Sequence, residues 1–173
     1  MFRYALYTYT PQKRMRRTSF EDMDLSRRIL MFKDGRKVAT TWAAEEMAKA
    51  MRLMNLTDTV IVCVPASCQH TYTRRFKRFS KTLCQRCGAE NGFTYVKVNG
   101  HRDKMHRTSH QGYTLANIEI NGQQLRGKKV VIIDDIVTTG HTADTFAQMI
   151  QGVGADVRMT LFLAKTKSYN RDN

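Results

Sequence analysis

No apolar run in the chain approaches the roughly 18 to 20 residues needed to cross a bilayer, which excludes a helical membrane protein. Residues 1–17 also lack the apolar stretch of a secretory signal, so a cytoplasmic protein is expected. Cysteine is sparse, four in 173 residues, and that scarcity argues for thiols rather than a disulfide framework. Cys63 lies inside the apolar run 60–64 and reads as a small buried hydrophobe. Cys84 and Cys87 form one Cys-x2-Cys, with Cys68 nearby, but no second pair or suitably spaced histidines complete a zinc site. The Gly-x4-Gly-Lys-Ser/Thr loop of nucleoside triphosphatases is missing too. Acids are few, 15 against 29 Lys and Arg, for a formal charge of +14. Internal repeats and domain linkers are absent, and a hydrophobic content of 42% suits one globular domain.

What is present alternates between helix and strand. Helical spacing marks residues 25–32 and 41–54, where Ala43, Met47, Ala50, Met51 and Met54 form a core stripe. Residues 59–64 read as a buried strand ended by Pro65, which cannot donate to a ladder. A long basic helix is expected over 70–90, followed by strands over 93–98, 128–133 and 156–164, the last near a sheet edge. Such alternation implies right-handed crossovers and a mostly parallel sheet with helices on its faces, whose ligands sit beyond the carboxyl ends of the strands.

The most informative segment is 130–142, Val-Val-Ile-Ile-Asp-Asp-Ile-Val-Thr-Thr-Gly-His-Thr. A continuous β-branched run suits a strand covered on both faces. Beyond it Ala143, Phe146, Ala147 and Ile150 follow helical spacing, so the turn between joins a strand to a helix. Free N–H groups and the dipole at a helix start favour an anion. Thr138, Thr139 and Thr142 add hydroxyl donors, and Gly140 permits a close approach. Asp134 and Asp135 would repel a phosphate but suit ribose hydroxyls and a hard divalent cation. Phosphoacceptor domains also carry paired acids, but early in the domain, whereas only about forty residues follow Asp134.

This thirteen-residue stretch resembles the phosphoribosyl pyrophosphate (PRPP) signature of type I phosphoribosyltransferases. Over residues 25–165 the chain is also similar to the phosphoribosyltransferase domain of ComF-like competence proteins, an amidophosphoribosyltransferase-like group. Phe32-Lys33-Asp34-Gly35-Arg36, Val64-Pro65, Lys77-Arg78-Phe79-Ser80-Lys81 and Asn117-Ile118 fall in that group's order. Two departures stand out. The group's initial zinc ribbon is lacking, and its Arg-Gly-Phe-Asn-Gln is replaced by residues 77–81 without the glycine and both amides.

The resemblance implies an α/β fold with a mostly parallel central sheet flanked by helices, a small hood built largely from residues 1–26, and a flexible loop region over 99–127. It implies a Mg2+-dependent transfer of ribose 5-phosphate from PRPP to a nitrogen nucleophile, with release of pyrophosphate. Asp134 and Asp135 would hold the ribose and the metal and serve the chemistry; Val137, Thr138, Thr139, Gly140, His141 and Thr142 would hold the 5′-phosphate. Ala66 and Ser67 would line the pyrophosphate side, with Arg102, Lys104 and His106 supplying cations from the loop. The acceptor is not specified. A homodimer is one assembly consistent with this reading.

The positive charge leaves alternatives open. Between His70 and Arg107, ten Lys or Arg face two acids. That field would concentrate PRPP or bind nucleic acid, so a ComF-like protein binding single-stranded DNA and a non-catalytic PRPP sensor stand beside the transferase. Tyr72, Phe76 and Phe79 interleave with the basic residues as stacking groups would, yet with Leu83 they also share the helical spacing of a buried face. Tyr4, Tyr7 and Tyr9 alternate as strand packing does, with base stacking as the other use.

Overall fold

Five parallel strands frame the computed structural model, which describes residues 2–100 and 115–167. In chain order the elements are β1 (Phe2–Tyr9), α1 (Phe20–Lys33), α2 (Lys37–Ala50), β2 (Thr59–Cys63), α3 (Gln69–Cys87), β3 (Glu90–Asn91), β4 (Val96–Val98), β5 (Ile118–Ile120), α4 (Gly122–Leu125), β6 (Lys129–Val137), α5 (His141–Gly152) and β7 (Asp156–Thr166). The main sheet runs β1-β7-β6-β2-β3, all parallel, while β4 and β5 form a separate antiparallel pair. Every residue of β2 is buried, as the continuous apolar run requires of a strand with both faces covered.

The helices bury what their periodicity marks. On α3, Tyr72, Phe76, Phe79 and Leu83 are fully buried, and Phe32 of α1 meets Phe76 and Phe79 with ring centroids 6.1 and 5.0 Å apart. These aromatics are therefore core rather than a stacking platform. Ser19 caps α1 by accepting the Asp22 N–H at 3.2 Å, which starts that helix earlier than the apolar stripe alone indicates. Between α1 and α2 the chain turns at Gly35, φ +72°, where an added Cβ would lie 2.7 Å from the Arg74 carbonyl oxygen. Glycine here lets the Lys-Asp-Gly turn pack directly on α3.

Three expectations shift. The strand expected over 93–98 is divided: Asn91 Oδ1 accepts the Phe93 N–H at 3.1 Å, a 3-10 turn follows, and only Val96–Val98 is extended. The strand expected to stop at Ile133 continues to Val137, because β7 runs alongside it and pairs Ile136 with Ala164 and Val137 with Lys165. Residues 2–9, expected in a hood, are the edge strand of the main sheet on β7. There Tyr7 stacks on Trp42, centroids 5.7 Å apart, and donates its hydroxyl to Glu46. No helix among the described residues is long and apolar enough to cross a membrane. Of the region 99–127, the described part includes β5 and α4.

Connections place the crevice. From β2 the chain passes through α3 to β3 on one side; from β6 it passes through α5 to β7 on the other. Adjacent strands whose connections leave in opposite directions open a cleft at their carboxyl ends, and that cleft lies between β2 and β6.

Candidate functional site

β2 and β6 separate where the acids begin. The Val64 N–H donates to the Ile133 carbonyl at 2.8 Å, and Pro65 then ends the ladder. Beyond Ile133, β6 is paired with β7 alone. Ala66, buried, and Ser67, half-buried, follow Pro65 at the same end of the sheet and lead into α3. Asp134 and Asp135 lie within the strand, and alternation sends them to opposite faces.

Asp134 lines a pocket with residues 136–143 and Phe162. Its floor is the turn into α5. Gly140 sits at the N-cap with φ +88° and no side-chain hydrogen bond caps the helix, the setting in which the N–H groups of a first turn favour an anion. Thr138, Thr139 and His141 are exposed there and Thr142 is half-buried. The structure therefore brings together Asp134, Val137, Thr138, Thr139, Gly140, His141 and Thr142 in one concave surface. Arg102, Lys104 and His106 lie outside the described residues.

Asp135 has a different setting. It is 5% exposed and forms an ion pair with Arg75 of α3, Nη1 to Oδ2 2.8 Å, while Oδ1 accepts the Ile136 N–H at 2.7 Å. The Arg75 contact is close without being an aligned hydrogen bond, since Oδ2 has no partner of good geometry. Arg75 in turn donates Nε–H to the Lys33 carbonyl at 3.0 Å, in the turn that Gly35 permits. The end of α1 before the Lys-Asp-Gly turn thus contacts Arg75, which itself faces Asp135. Nothing in the sequence distinguishes Arg75 from the other cations of a basic helix. Arg3 was equally illegible: it comes from β1, pairs with Asp144 in the first turn of α5, and reaches Gly140.

The two carboxylates differ electrostatically. Burial pushes the Asp134 carboxyl well above the usual carboxylate range, the charge of Asp135 pushes the same way, and its bond from the Asp135 N–H at 2.8 Å and the more distant Arg75 pull back. An acid raised by burial and a like charge is one that a divalent cation would relieve. Two hard carboxylate oxygens suit Mg2+, which completes its sphere with water and substrate oxygens. No cluster of three or more His, Cys, Asp or Glu occurs among the described residues. Asp134 faces the pocket for this role, and Asp135 stands behind it with its charge already balanced.

The remaining candidates take structural places. Cys84 is buried and Cys87 half-buried, both free; Cys84 packs near the Glu90 carbonyl, Sγ to O 3.7 Å, and burial pushes its thiol up to about 12. Residues 77–81 lie along α3 with Phe79 and Ser80 inward and Lys77, Arg78 and Lys81 outward.

The model of the phosphoribosyl transferase domain matches residues 32–173. The adenine phosphoribosyltransferase of Pseudothermotoga lettingae is 32% identical over 59 residues, 34% of this chain and 35% of that protein. The enzyme of the same name from Butyrivibrio fibrisolvens is 34% identical over 59 residues, covering 34% and 33%. The chain thus spans about a third of the length of the curated relatives it matches. Among solved structures it is similar to adenine phosphoribosyltransferase from Thermoanaerobacter pseudethanolicus, 24% identical over 75% of this chain and 70% of that one, with a TM-score of 0.49. Leishmania donovani UMP synthase is 19% identical over 75% and 23%, with a TM-score of 0.48. None of these relatives singles out the ComF-like subgroup, and the competence reading has no support in them. The matched segment runs from the end of α1 through β7 and contains the whole Asp134 pocket, and the chain belongs to the phosphoribosyl transferase domain family.

Proposed function

We propose that this protein is a Mg2+-dependent phosphoribosyltransferase that transfers the ribose 5-phosphate unit of PRPP to a nitrogen base. The observation that carries the proposal is the uncapped start of α5 behind Gly140, opening into the same pocket as Asp134. N–H groups and hydroxyls on residues 138–142 suit the 5′-phosphate, and Asp134 suits the ribose hydroxyls a few ångströms further along the strand. Ala66 and Ser67, across the cleft on the β2 side, suit the pyrophosphate, with Arg102, Lys104 and His106 proposed as its cations.

The chemistry follows from this division. The bond between the anomeric carbon and the pyrophosphate oxygen breaks, its electron pair leaves with pyrophosphate, and the nitrogen lone pair forms the new C–N bond. The nitrogen then loses a proton to solvent. Anchoring the phosphate and ribose at one wall holds the anomeric carbon in line for attack. Mg2+ supplies charge stabilisation for the departing pyrophosphate. Because the matched relatives are adenine phosphoribosyltransferases, adenine is the first acceptor to test.

Pyrophosphate release should be followed with PRPP, Mg2+ and a panel of purine and pyrimidine bases. Release that depends on one base supports the transferase. PRPP binding by calorimetry without release for any base would leave a sensor instead, and absence of PRPP binding would refute both.

A further inference from the structure

We propose that Arg3, on the edge strand outside the family-matched segment, is a ligand of the sugar-phosphate monoester, for which Asp144 is the competing partner. This rests on the proposed phosphate loop and adds a residue to it. β1 is two strands away from β6, with Arg3 opposite Thr160 of β7. Its side chain nevertheless crosses to the loop: Nη1 lies 3.0 Å from the Cβ position of Gly140, and the guanidinium pairs with Asp144 in the first turn of α5. Arg3 also lines a hollow of about 240 Å³ with Val137, Thr138, Thr139 and Lys165, residues 137–139 being shared with the Asp134 pocket.

Charge gives this arrangement its direction. Asp144 is the acid of the first turn of α5 and opposes a phosphate dianion approaching the helix start. Arg3 offsets that charge, and its planar fork matches phosphate oxygens. The Arg3 side chain is 44% exposed and therefore has room to move from the carboxylate to the monoester. Because the two hollows share Val137, Thr138, Thr139 and Phe162 and Nη1 lies beside Gly140, a guanidinium that leaves Asp144 comes within reach of a monoester seated on the loop.

Calorimetric titration of the full chain with ribose 5-phosphate, and separately with inorganic pyrophosphate, tests this in wild type, Arg3→Gln, Arg3→Lys and Asp144→Asn. Arg3→Gln should weaken ribose 5-phosphate about tenfold, the scale of one charge-assisted hydrogen bond, and leave pyrophosphate unchanged. Arg3→Lys should recover part of the loss. Asp144→Asn should tighten ribose 5-phosphate, because it removes a competing charge. If Arg3 served only to pin β1 to α5, Arg3→Gln and Asp144→Asn would weaken binding alike, and that result would overturn the proposal. So would unchanged affinity in Arg3→Gln with wild type binding normally. A wild-type protein that binds no ribose 5-phosphate would instead bring down the loop assignment itself. Melting temperatures of all variants establish that each is folded.

Discussion

The chain makes two strand-to-helix turns side by side at the carboxyl end of its sheet, one after β2 and one after β6, and they are built differently. Both helices start without a side-chain cap. After β6 the turn has Gly140 in the left-handed region, with threonines on either side and a concave surface facing Asp134. After β2 it has Pro65, a buried Ala66 and no glycine, and its N-cap Cys68 is extended at φ −150°, with Sγ 3.3 Å from Thr71 Oγ1. An uncapped helix start therefore does not by itself give the concave geometry proposed for the 5′-phosphate. A positive-φ glycine has to fold the chain back so that several N–H groups converge, and only the β6 turn has one.

That contrast can be broken most severely at the glycine. Gly140→Val places a branched side chain at φ +88° and against Arg3, so ribose 5-phosphate affinity should fall by at least about a hundredfold. Calorimetry reads this directly, and near-normal binding would remove the turn from the account.

The next effect separates the paired acids. Asp135→Asn leaves the mostly buried Arg75 guanidinium, 13% exposed, without its counter-charge. Breaking a buried pair costs roughly 3 to 5 kcal/mol, and partial exposure of Arg75 reduces that to about 2 to 3. Thermal unfolding should show a drop of roughly 5 to 10 °C. A melting point within a degree of wild type would mean the pair contributes nothing.

Asp134→Asn should act in the opposite sense. Because the folded protein raises the Asp134 carboxyl above its unfolded value, ionising it costs stability, which is full at acid pH and lost as pH rises through the folded value. At neutral pH the ligand-free variant should melt a few degrees higher than wild type, and the difference should vanish below roughly pH 4, near the unfolded value. Its affinity for PRPP with Mg2+ should fall all the same. A variant less stable than wild type at neutral pH would contradict the electrostatic assignment. The smallest effect belongs to the other turn, where Ser67→Ala should reduce pyrophosphate affinity only about threefold, the scale of one neutral hydrogen bond, and leave ribose 5-phosphate alone.

Local chemistry made part of this legible in advance. The apolar run of β6, the helical spacing after Gly140 and the converging threonines are contiguous, so one short segment carries a strand, a turn and a helix start. The buried aromatic face of α3 could be read from spacing for the same reason. What escaped depends on residues distant in sequence. Arg75 looks like Arg74 or Arg78 until α3 lies on the sheet and brings it to Asp135, and Arg3 looks like any strand cation until β1 pairs with β7. The end of β6 was placed early because Asp134 and Asp135 suggest a loop, whereas pairing with β7 on one side carries the strand to Val137. The resemblance implies a hood over residues 1–26, whereas residues 2–9 pair with β7 and form the sheet edge.

The central claim is that the backbone turn after the acidic pair receives the phosphate of an activated pentose, and an NMR titration of 15N-labelled protein with ribose 5-phosphate tests it most directly. Saturable amide shifts should be largest for residues 138–142, with much smaller ones for residues 66–69 after β2. Shifts that cluster elsewhere while the amides of 138–142 stay in place would contradict it.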